Sequence, residues 1–366
     1  MLIRLTAHNG GIRGSRPQVI EDMDQSKLDK LRALYADREV FHDGEDPVLT
    51  AAGRQVQSPD GRRALPYSGI PTLLGLPSAS SAADLDIALV GVPMDLGVSN
   101  RPGARFGPRA VRGIERIGPY HPTFRGVPKS AVRAADVGDV PFRSRFSLEQ
   151  SLEDIEQYYD ALRAQGVRPL SVGGDHSITY PILKALGKTG PVGLVHIDAH
   201  CDTMGAFDGS KFHHGGPFRL AVLDGVLDPE RTIQIGIRGS SNMFWEFSHA
   251  SGMTVIYMED FMRMGVAQVA ERARAVVGDG PVYISVDVDG FDPAYAPGTG
   301  TPEAGGLEAR EGLALLRGLG GLNIIGADVV EVAPQYDPTT NTSQLAAQLL
   351  FEEFALMAFG SKSASL

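Results

Sequence analysis

The 366-residue chain has few of the features that tie a protein to a membrane, a nucleic acid or an oxidising compartment. Its single cysteine, Cys201, excludes an intrachain disulfide framework and predicts a reducing compartment. Apolar runs stay shorter than the roughly 18 residues of a membrane span, and the N-terminus MLIRLTAHNGG lacks a signal-peptide core. With 34 basic against 44 acidic residues, the net charge of −10 argues against nucleic-acid or anionic-membrane partners. We therefore predict a soluble, cytoplasmic protein that acts on a small molecule.

From residue 86 onward, the sequence alternates apolar runs with helical patterns. The runs predicted to be strands are Ile87 to Val92, Arg168 to Val172, Val192 to Ile197, Thr232 to Ile237, Thr254 to Tyr257, Val282 to Val286 and Asn323 to Val332. The predicted helices are Ser147 to Gln165, Ile178 to Leu186, Asp260 to Val277 and Leu307 to Leu319. Apolar strands separated by helices indicate a parallel sheet covered on both faces. Residues 1–85 lack a long periodic element, so we predict an N-terminal arm over 1–85, with short helices around Gln25 to Tyr35, and one domain over 86–366.

A row of metal-ligand residues follows one of these strands. In IDAHCDTMG, which starts at Ile197, the residues Asp198, His200 and Asp202 occupy alternate positions. Alternate side chains of an extended chain point to the same side, so these three converge on a small volume. Two carboxylates and an imidazole packed so closely repel or desolvate one another unless a cation lies between them. The row predicts a metal site, and a solvated strand end is the alternative interpretation.

Two further segments favour the metal site. SVDVDGFDP places Asp287 and Asp289 two apart after a short apolar strand, and SVGGDHS offers His176 just after another strand. With the first row they supply two imidazoles and four carboxylates, enough for two divalent ions. An oxygen-rich set without thiolate favours manganese, while nickel, cobalt and iron stay open. Cys201 lies between two proposed ligands, so we expect a buried thiol that faces away from the metals.

These segments resemble the signature segments of the ureohydrolases, the family of arginase, agmatinase and the guanidino-acid hydrolases. The matching segments are GGDHS (173–177), DAHCD (198–202), SVDVDGFDP (285–293), PGTGTPEAGG (297–306), DVVEVAP (328–334) and RPGARFGPRAVR (101–112). The resemblance runs from about residue 68 to the C-terminus. It implies a three-layer α/β/α fold around a central, mostly parallel sheet of eight strands, with 86–366 as the catalytic domain.

The resemblance also implies two manganese ions bridged by a hydroxide, with nickel as the alternative metal. One ion would be held by His176, Asp198, Asp202 and Asp287, and the other by His200, Asp198, Asp287 and Asp289. The hydroxide would attack the carbon of a guanidino group, and the tetrahedral intermediate would collapse to urea and an amine.

Further catalytic residues are assigned by the same resemblance. His214, directly before Gly215, matches the family histidine that protonates the leaving nitrogen, which makes His213 a structural residue. Glu331 matches the glutamate that receives the guanidinium, and a carboxylate at a strand end suits that planar cation. Asp202 is assigned to the catalytic set as well as to the metal ligands.

The substrate-binding segments depart from those of arginases. The aspartate expected after the Gly-x-Arg strand is missing after Arg238, so L-arginine is not the expected substrate, and Gly216 replaces the threonine of guanidino-acid hydrolases. Guanidine, an alkylated biguanide, guanidinobutyrate, guanidinopropionate and agmatine stay open. The segment 240–252 is interpreted as a strand-end loop. A Phe244 or Trp245 ring facing the metals would bind substrate and favour compact or alkylated guanidines; packing on the arm or at a subunit contact is the alternative.

Two other functions are weighed against a ureohydrolase. A formimidoyl or acyl-amide hydrolase on the same scaffold would use the same metals, but Glu331 favours a guanidinium. A catalytically weak subunit that supports an active paralogue would be expected to lose ligands, and all six are present here. The resemblance points to trimers or hexamers, either homo-oligomeric or mixed with a paralogue.

Overall fold

The computed structural model describes residues 25–37, 47, 50, 67–115, 118–239 and 242–360. The chain divides into two units, Met1–Arg54 and Gln55–Leu366. In the first unit the structure describes the helix Gln25–Tyr35, where a helix was predicted, and none of its residues is buried. The arm was predicted over 1–85. Up to residue 66, only 25–37, Pro47 and Thr50 of this arm are among the described residues. In the described part of the chain, no helix combines the length and apolar character needed to cross a bilayer.

Eight parallel strands form one sheet in the order β2-β1-β3-β8-β7-β4-β5-β6, which confirms the predicted α/β class. The strands are β1 Ile87–Val92, β2 Ala134–Asp139, β3 Arg168–Gly173, β4 Val192–Ile197, β5 Leu227–Ile237, β6 Thr254–Tyr257, β7 Val282–Asp287 and β8 Ile324–Val330. Every residue of β1, β4 and β7 is buried, as expected for a sheet covered on both faces.

Helices cover both faces of the sheet and make two hydrophobic cores. One core packs the helices Val266–Val277, Ala309–Arg317 and Asn341–Phe359 against one face. The other packs Leu148–Ala164, Thr179–Leu186 and Pro217–Leu223 against the opposite face. The remaining α-helices are Gly107–Arg112, Pro128–Ala131, Asn242–Ser251 and Met258–Met264. The result is the predicted three-layer α/β/α arrangement.

The structure departs from the predicted elements in several places. β2 was not predicted, because AADVGD is only partly buried and reads as polar. The segment predicted as a loop over 240–252 is a helix over Asn242–Ser251, so that prediction was wrong. The helix predicted from Asp260 to Val277 is two helices separated at Gly265, whose φ of 76° suits glycine. The C-terminal helix Asn341–Phe359, almost wholly buried, was not among the predicted elements.

Candidate metal-binding active site

The predicted site residues lie at the carboxyl ends of four neighbouring strands, β3, β8, β7 and β4. His176 begins a 3₁₀ turn after β3, Glu331 follows β8, Asp287 ends β7 and Asp198 follows β4. A parallel sheet collects such ends at one edge, where ligand sites form. His176 and Glu331 are therefore joined by a 3.0 Å hydrogen bond from the His176 amide, although they are 155 residues apart in sequence.

His176 lies among three carboxylates. Its Nδ1 atom is 3.1 Å from Asp198 Oδ2, 2.9 Å from Asp202 Oδ2 and 3.3 Å from Asp287 Oδ2. The atom is nevertheless buried without an aligned hydrogen bond among the described residues. One ring nitrogen cannot satisfy three carboxylate oxygens, whereas a divalent cation between the four side chains can. These residues therefore fit a metal ion.

The tautomer of His176 supports the same interpretation. Its Nε2 atom is 2.8 Å from Ser285 Oγ, and Ser285 donates its hydroxyl hydrogen to Asp328 at 2.6 Å. Ser285 thus accepts from Nε2–H, which leaves Nδ1 facing the carboxylates. A ligating histidine held through its second nitrogen is the usual arrangement at metal centres.

A second group of ligand atoms surrounds His200. Its Nδ1 atom is 3.4 Å from Asp198 Oδ1 and 3.2 Å from Asp289 Oδ2. These three residues bring one ligand atom each within 4.8 Å of one another. Asp198 belongs to both groups and Asp287 adjoins Asp289, whose amide donates to Asp287 Oδ1 at 2.7 Å. The geometry thus supports two neighbouring cation positions that share carboxylates.

The charges of the cluster are unbalanced without a cation. Burial and the charge on Asp198 together raise the pKa of Asp289 to about 6. Burial together with the charges of Asp289 and Asp198 holds the pKa of Asp287 well above its usual range. Burial opposes a charge on His176, but Asp198, Asp202 and Asp287 hold its pKa well above the usual value. Positive charge is what the cluster lacks, and divalent metal ions supply it.

His196 is a site residue that the sequence analysis missed. It is fully buried, and its Nε2 atom lies 2.7 Å from Asp198 Oδ2. The side-chain amide of Gln234 lies 3.1 Å from its Nδ1, so Nε2 carries the hydrogen and donates it to the carboxylate. Phe218 packs on the ring at a centroid distance of 4.4 Å. The alternation from Asp198 to Asp202 extends back one step to His196, and that pattern was the available signal.

His214 and Glu331 form a buried pair beside the metal ligands. His214 Nδ1 is 2.8 Å from Glu331 Oε1, which also accepts the His176 amide. The second oxygen, Glu331 Oε2, is buried and has no hydrogen-bond partner among the described residues. Burial opposes a charge on His214, but the charge and hydrogen bond of Glu331 raise the pKa of His214 to about 9. A charged histidine next to an open carboxylate oxygen can donate a proton and accept a cation.

Two of the site residues have strained backbones. Asp202 has a φ of 51° and Glu331 a φ of 64°, in the left-handed region that non-glycine residues rarely adopt. Strain of this kind persists only where the surroundings enforce it, and it clusters at functional sites. The chain therefore holds the metal-facing Asp202 and the open carboxylate of Glu331 in positions that relaxed strand ends would not give.

The predicted aromatic residues lie on the helix Asn242–Ser251. The Phe244 carbonyl accepts from Thr203 Oγ1 at 3.4 Å, next to Asp202, and the Phe244 residue is 37% exposed. The Trp245 ring packs on Tyr257 at the end of β6, with centroids 5.1 Å apart. Phe244 thus lies near the metal cluster, whereas Trp245 lies at the sheet edge.

Three other residues named in the sequence analysis contact the backbone or lie buried, as structural residues do. His213 Nε2 faces the carbonyl of Gly205 at 2.9 Å. Arg238 donates to several backbone carbonyls, among them those of Asp289 and Glu303 at 2.7 Å each. The Cys201 thiol is buried, and burial raises its pKa to about 12.

Comparisons with known proteins show the family of the chain. The Arginase family model matches residues 85–355. The chain is 47% identical over 296 residues to a guanidinopropionase of Pseudomonas aeruginosa, covering 80% of this chain and 93% of that protein. It is 48% identical over 293 residues to a mitochondrial agmatinase of Gallus gallus, covering 79% and 86%. The solved structure of proclavaminate amidino hydrolase from Streptomyces clavuligerus superposes with a TM-score of 0.76 at 38% identity, covering 81% of this chain and all of that one.

Proposed function

The chain belongs to the arginase family, and we propose that it hydrolyses a guanidino C–N bond of a small guanidino compound, releasing urea and an amine. The family members it resembles are hydrolases that act on amidines, and the ligand cluster for metal is present. One observation carries the proposal. Glu331 Oε2 is a buried carboxylate oxygen that has no hydrogen-bond partner among the described residues. A guanidinium would supply both the positive charge and the hydrogen-bond donors that this oxygen lacks.

The ligand residues divide between two proposed metal positions. His176, Asp198, Asp202 and Asp287 would hold one ion, and His200, Asp198, Asp287 and Asp289 the other. Manganese is the expected metal and nickel the alternative. When bound, the two ions supply a water molecule activated for attack at neutral pH.

The protein residues supply binding and proton transfer. Glu331 receives the guanidinium through Oε2 and holds His214 through Oε1. His214, with its raised pKa, is charged at neutral pH and serves as the acid for the leaving nitrogen. The buried surroundings strengthen both interactions, because little water competes for the charges.

The substrate is proposed as a class. The named relatives act on guanidinopropionate-type and agmatine-type compounds, and both stay candidates with guanidinobutyrate, guanidine and alkylated biguanides. L-arginine is not proposed, because the segment after Arg238 lacks the aspartate of arginases. Of the two rings assigned to substrate binding, we propose that of Phe244 as the one that limits substrate length, because the Phe244 backbone lies beside Thr203 and the residue is exposed. The trimeric or hexameric assembly and the cytoplasmic location stay predictions.

Urea release by the purified chain tests the proposal. The chain is stripped with chelator and reloaded with Mn²⁺ or Ni²⁺, and urea is measured over the candidate guanidino compounds. We expect two ions per chain and urea release only after reloading. Asp287→Asn, at the carboxyl end of β7, should lose metal and activity, whereas the control Asp279→Asn, an exposed residue before the same strand, should lose neither. Full activity of the metal-stripped chain, or no urea from any compound, would contradict the proposal.

A further inference from the structure

His214 has no ring nitrogen left free for the leaving group. Its Nδ1 atom is taken by Glu331 at 2.8 Å. Its Nε2 atom faces Ser99, with Ser99 Oγ at 2.7 Å and the Ser99 amide nitrogen at 3.2 Å. An acid that serves the leaving nitrogen directly needs an N–H aimed at it, and both N–H directions of this ring are already occupied.

The contact between Ser99 and His214 is built into the fold. The His214 amide donates to the Gly97 carbonyl at 2.9 Å, two residues before Ser99. The Gly97 amide in turn donates to the buried carboxylate of Asp175 at 2.7 Å. A Cβ atom at Gly97 would lie 2.8 Å from Ser177 Oγ, so only glycine allows the backbone at position 97 to lie this close to Ser177. Three hydrogen bonds thus join the serine loop to His214, and a fourth joins it to Asp175.

Ser99 satisfies Nε2 in both charge states of the ring. When His214 is charged, Nε2–H donates to Ser99 Oγ, and the serine hydroxyl hydrogen is free to point elsewhere. When His214 is neutral, with its hydrogen on Nδ1 toward Glu331, Nε2 accepts from the Ser99 amide. Neither state leaves His214 Nε2 without a partner, which lowers the cost of giving up the proton. Unlike the buried ring, Ser99 is itself exposed.

Building on the proposed function, we propose that Ser99 is a further catalytic residue, whose hydroxyl carries the proton from His214 Nε2 to the leaving nitrogen. In this step the Ser99 O–H hydrogen moves to the leaving nitrogen while Ser99 Oγ takes the hydrogen of His214 Nε2. The C–N bond of the tetrahedral intermediate breaks, and its electron pair goes to the nitrogen. The intermediate's hydroxyl proton is released to water as the urea carbonyl forms, and water returns one proton to His214.

The first test compares Ser99→Ala and Ser99→Thr with the wild type. Ser99→Ala should lower kcat by on the order of 10²-fold, the lower range for a lost acid, with KM little changed. Ser99→Thr keeps a hydroxyl and should keep most of the activity. The control is Ser81→Ala, an exposed serine before β1 whose Oγ accepts the Ala83 amide at 3.1 Å. Melting temperature and bound metal per chain should match the wild type in all three variants.

The decisive test varies the leaving group. Ethylguanidine and 2,2,2-trifluoroethylguanidine are similar in size, but the fluorinated amine is far less basic and needs less protonation to leave. The deficit of Ser99→Ala should therefore be several-fold smaller for the fluorinated substrate. Ser99→Ala combined with His214→Ala should be no slower than His214→Ala alone, because both residues serve one proton transfer.

Two outcomes would overturn the relay. Equal deficits of Ser99→Ala for both substrates would show that Ser99 only positions His214, and unchanged kcat would show that it does neither. A wild-type chain that releases no urea from any guanidino compound would instead overturn the proposed function, and the relay with it. The wild-type measurement thus separates the two failures.

Discussion

The protein contains two buried histidine–glutamate pairs of almost equal length that differ in what surrounds them. The site pair is His214–Glu331, at 2.8 Å, and the helix pair is His121–Glu352, at 2.7 Å, between the segment 118–126 and the C-terminal helix. In the helix pair Glu352 also accepts from Arg317, with contacts of 3.0 and 2.6 Å. In the site pair one oxygen of Glu331 has no partner.

The titration of the two pairs reflects this difference. In the helix pair, burial opposes the charge on Glu352, but His121 and Arg317 lower the pKa of Glu352 to about 2. His121 Nδ1 accepts the Phe124 amide at 3.3 Å and Nε2 faces Glu352, so both ring nitrogens have partners. In the site pair the histidine instead has the raised pKa. A pair whose carboxylate oxygens all have hydrogen-bond partners stabilises the fold, whereas a pair with an unpartnered oxygen can bind a ligand and react.

The largest expected effect is that of Glu331→Gln. Removing the charge that receives the guanidinium should lower kcat/KM by on the order of 10³- to 10⁴-fold, the cost of leaving a buried ionic partner unpaired. The free energy of unfolding should be unchanged or higher, because the substitution removes a buried charge whose second oxygen has no hydrogen-bond partner among the described residues. Urea release and urea denaturation measure the two quantities. A large loss of stability with near-normal activity would place Glu331 with the structural residues.

The second expected effect is a loss of catalysis in His214→Ala. Loss of the acid should slow kcat by about 10²- to 10³-fold while both metals stay bound. The matched variant is His213→Ala, whose ring faces the Gly205 carbonyl and the Phe207 ring. Equal slowing by His213→Ala would mean that the acid was assigned to the wrong histidine.

The third effect belongs to the helix pair. His121→Ala should lower the free energy of unfolding by about 2–3 kcal/mol, because a fully buried ring and its bond to Glu352 are lost. The kcat of the remaining folded protein should stay within about twofold of the wild type, since nothing in this pair touches the site. Chemical denaturation with residual-activity assays checks both, and a kcat loss comparable to that of His214→Ala would erase the contrast.

The smallest effect is a pH dependence of stability. The pKa of Glu352 is lowered in the folded state, so its contribution is fully present above the usual glutamate pKa of 4.5 and is lost as pH falls toward about 2. Glu352→Gln should remove this part of the acid sensitivity, so that the stabilities of variant and wild type converge as pH falls through that window. Denaturation curves between neutral and acid pH would show it, and parallel curves would refute it.

The sequence analysis predicted the buried strands well and the exposed or mixed elements poorly. The bounds of β1 and β4 match the predicted runs, because a strand inside a covered sheet is continuously apolar. The bounds of the edge strand β6 match as well, because TVIY is rich in β-branched and aromatic residues. β2 lies at the sheet edge and has two aspartates and a glycine among its six residues, so its sequence carries no such signal. The helix Asn242–Ser251 was taken as a loop because the segment follows the strand that carries Arg238.

The same contrast holds within the site. Five of the proposed metal ligands could be predicted because they occupy alternate positions in two short segments. They are Asp198, His200 and Asp202 in one segment and Asp287 and Asp289 in the other. Two other residues, Ser99 and Asp328, are brought to the site only by the order of the strands in the sheet. No residue spacing in the sequence near them could therefore have predicted their contacts. Gln234 contacts His196 because it lies opposite it on the neighbouring strand, β5, and this pairing too depends on the strand order. Long-range pairings of this kind follow from topology and register.

The lone thiol makes the chain a reporter of its own local opening. Cys201 is the only cysteine, is buried, and has a pKa raised to about 12 by burial, so a thiol-labelling reagent reaches it only in molecules whose β4 end has opened. The labelling rate therefore measures the population of that open form. Because Cys201 lies between His200 and Asp202, metal at 100 times its Kd should slow labelling by roughly 100-fold if the open form releases it. Metal affinity can then be followed without a substrate.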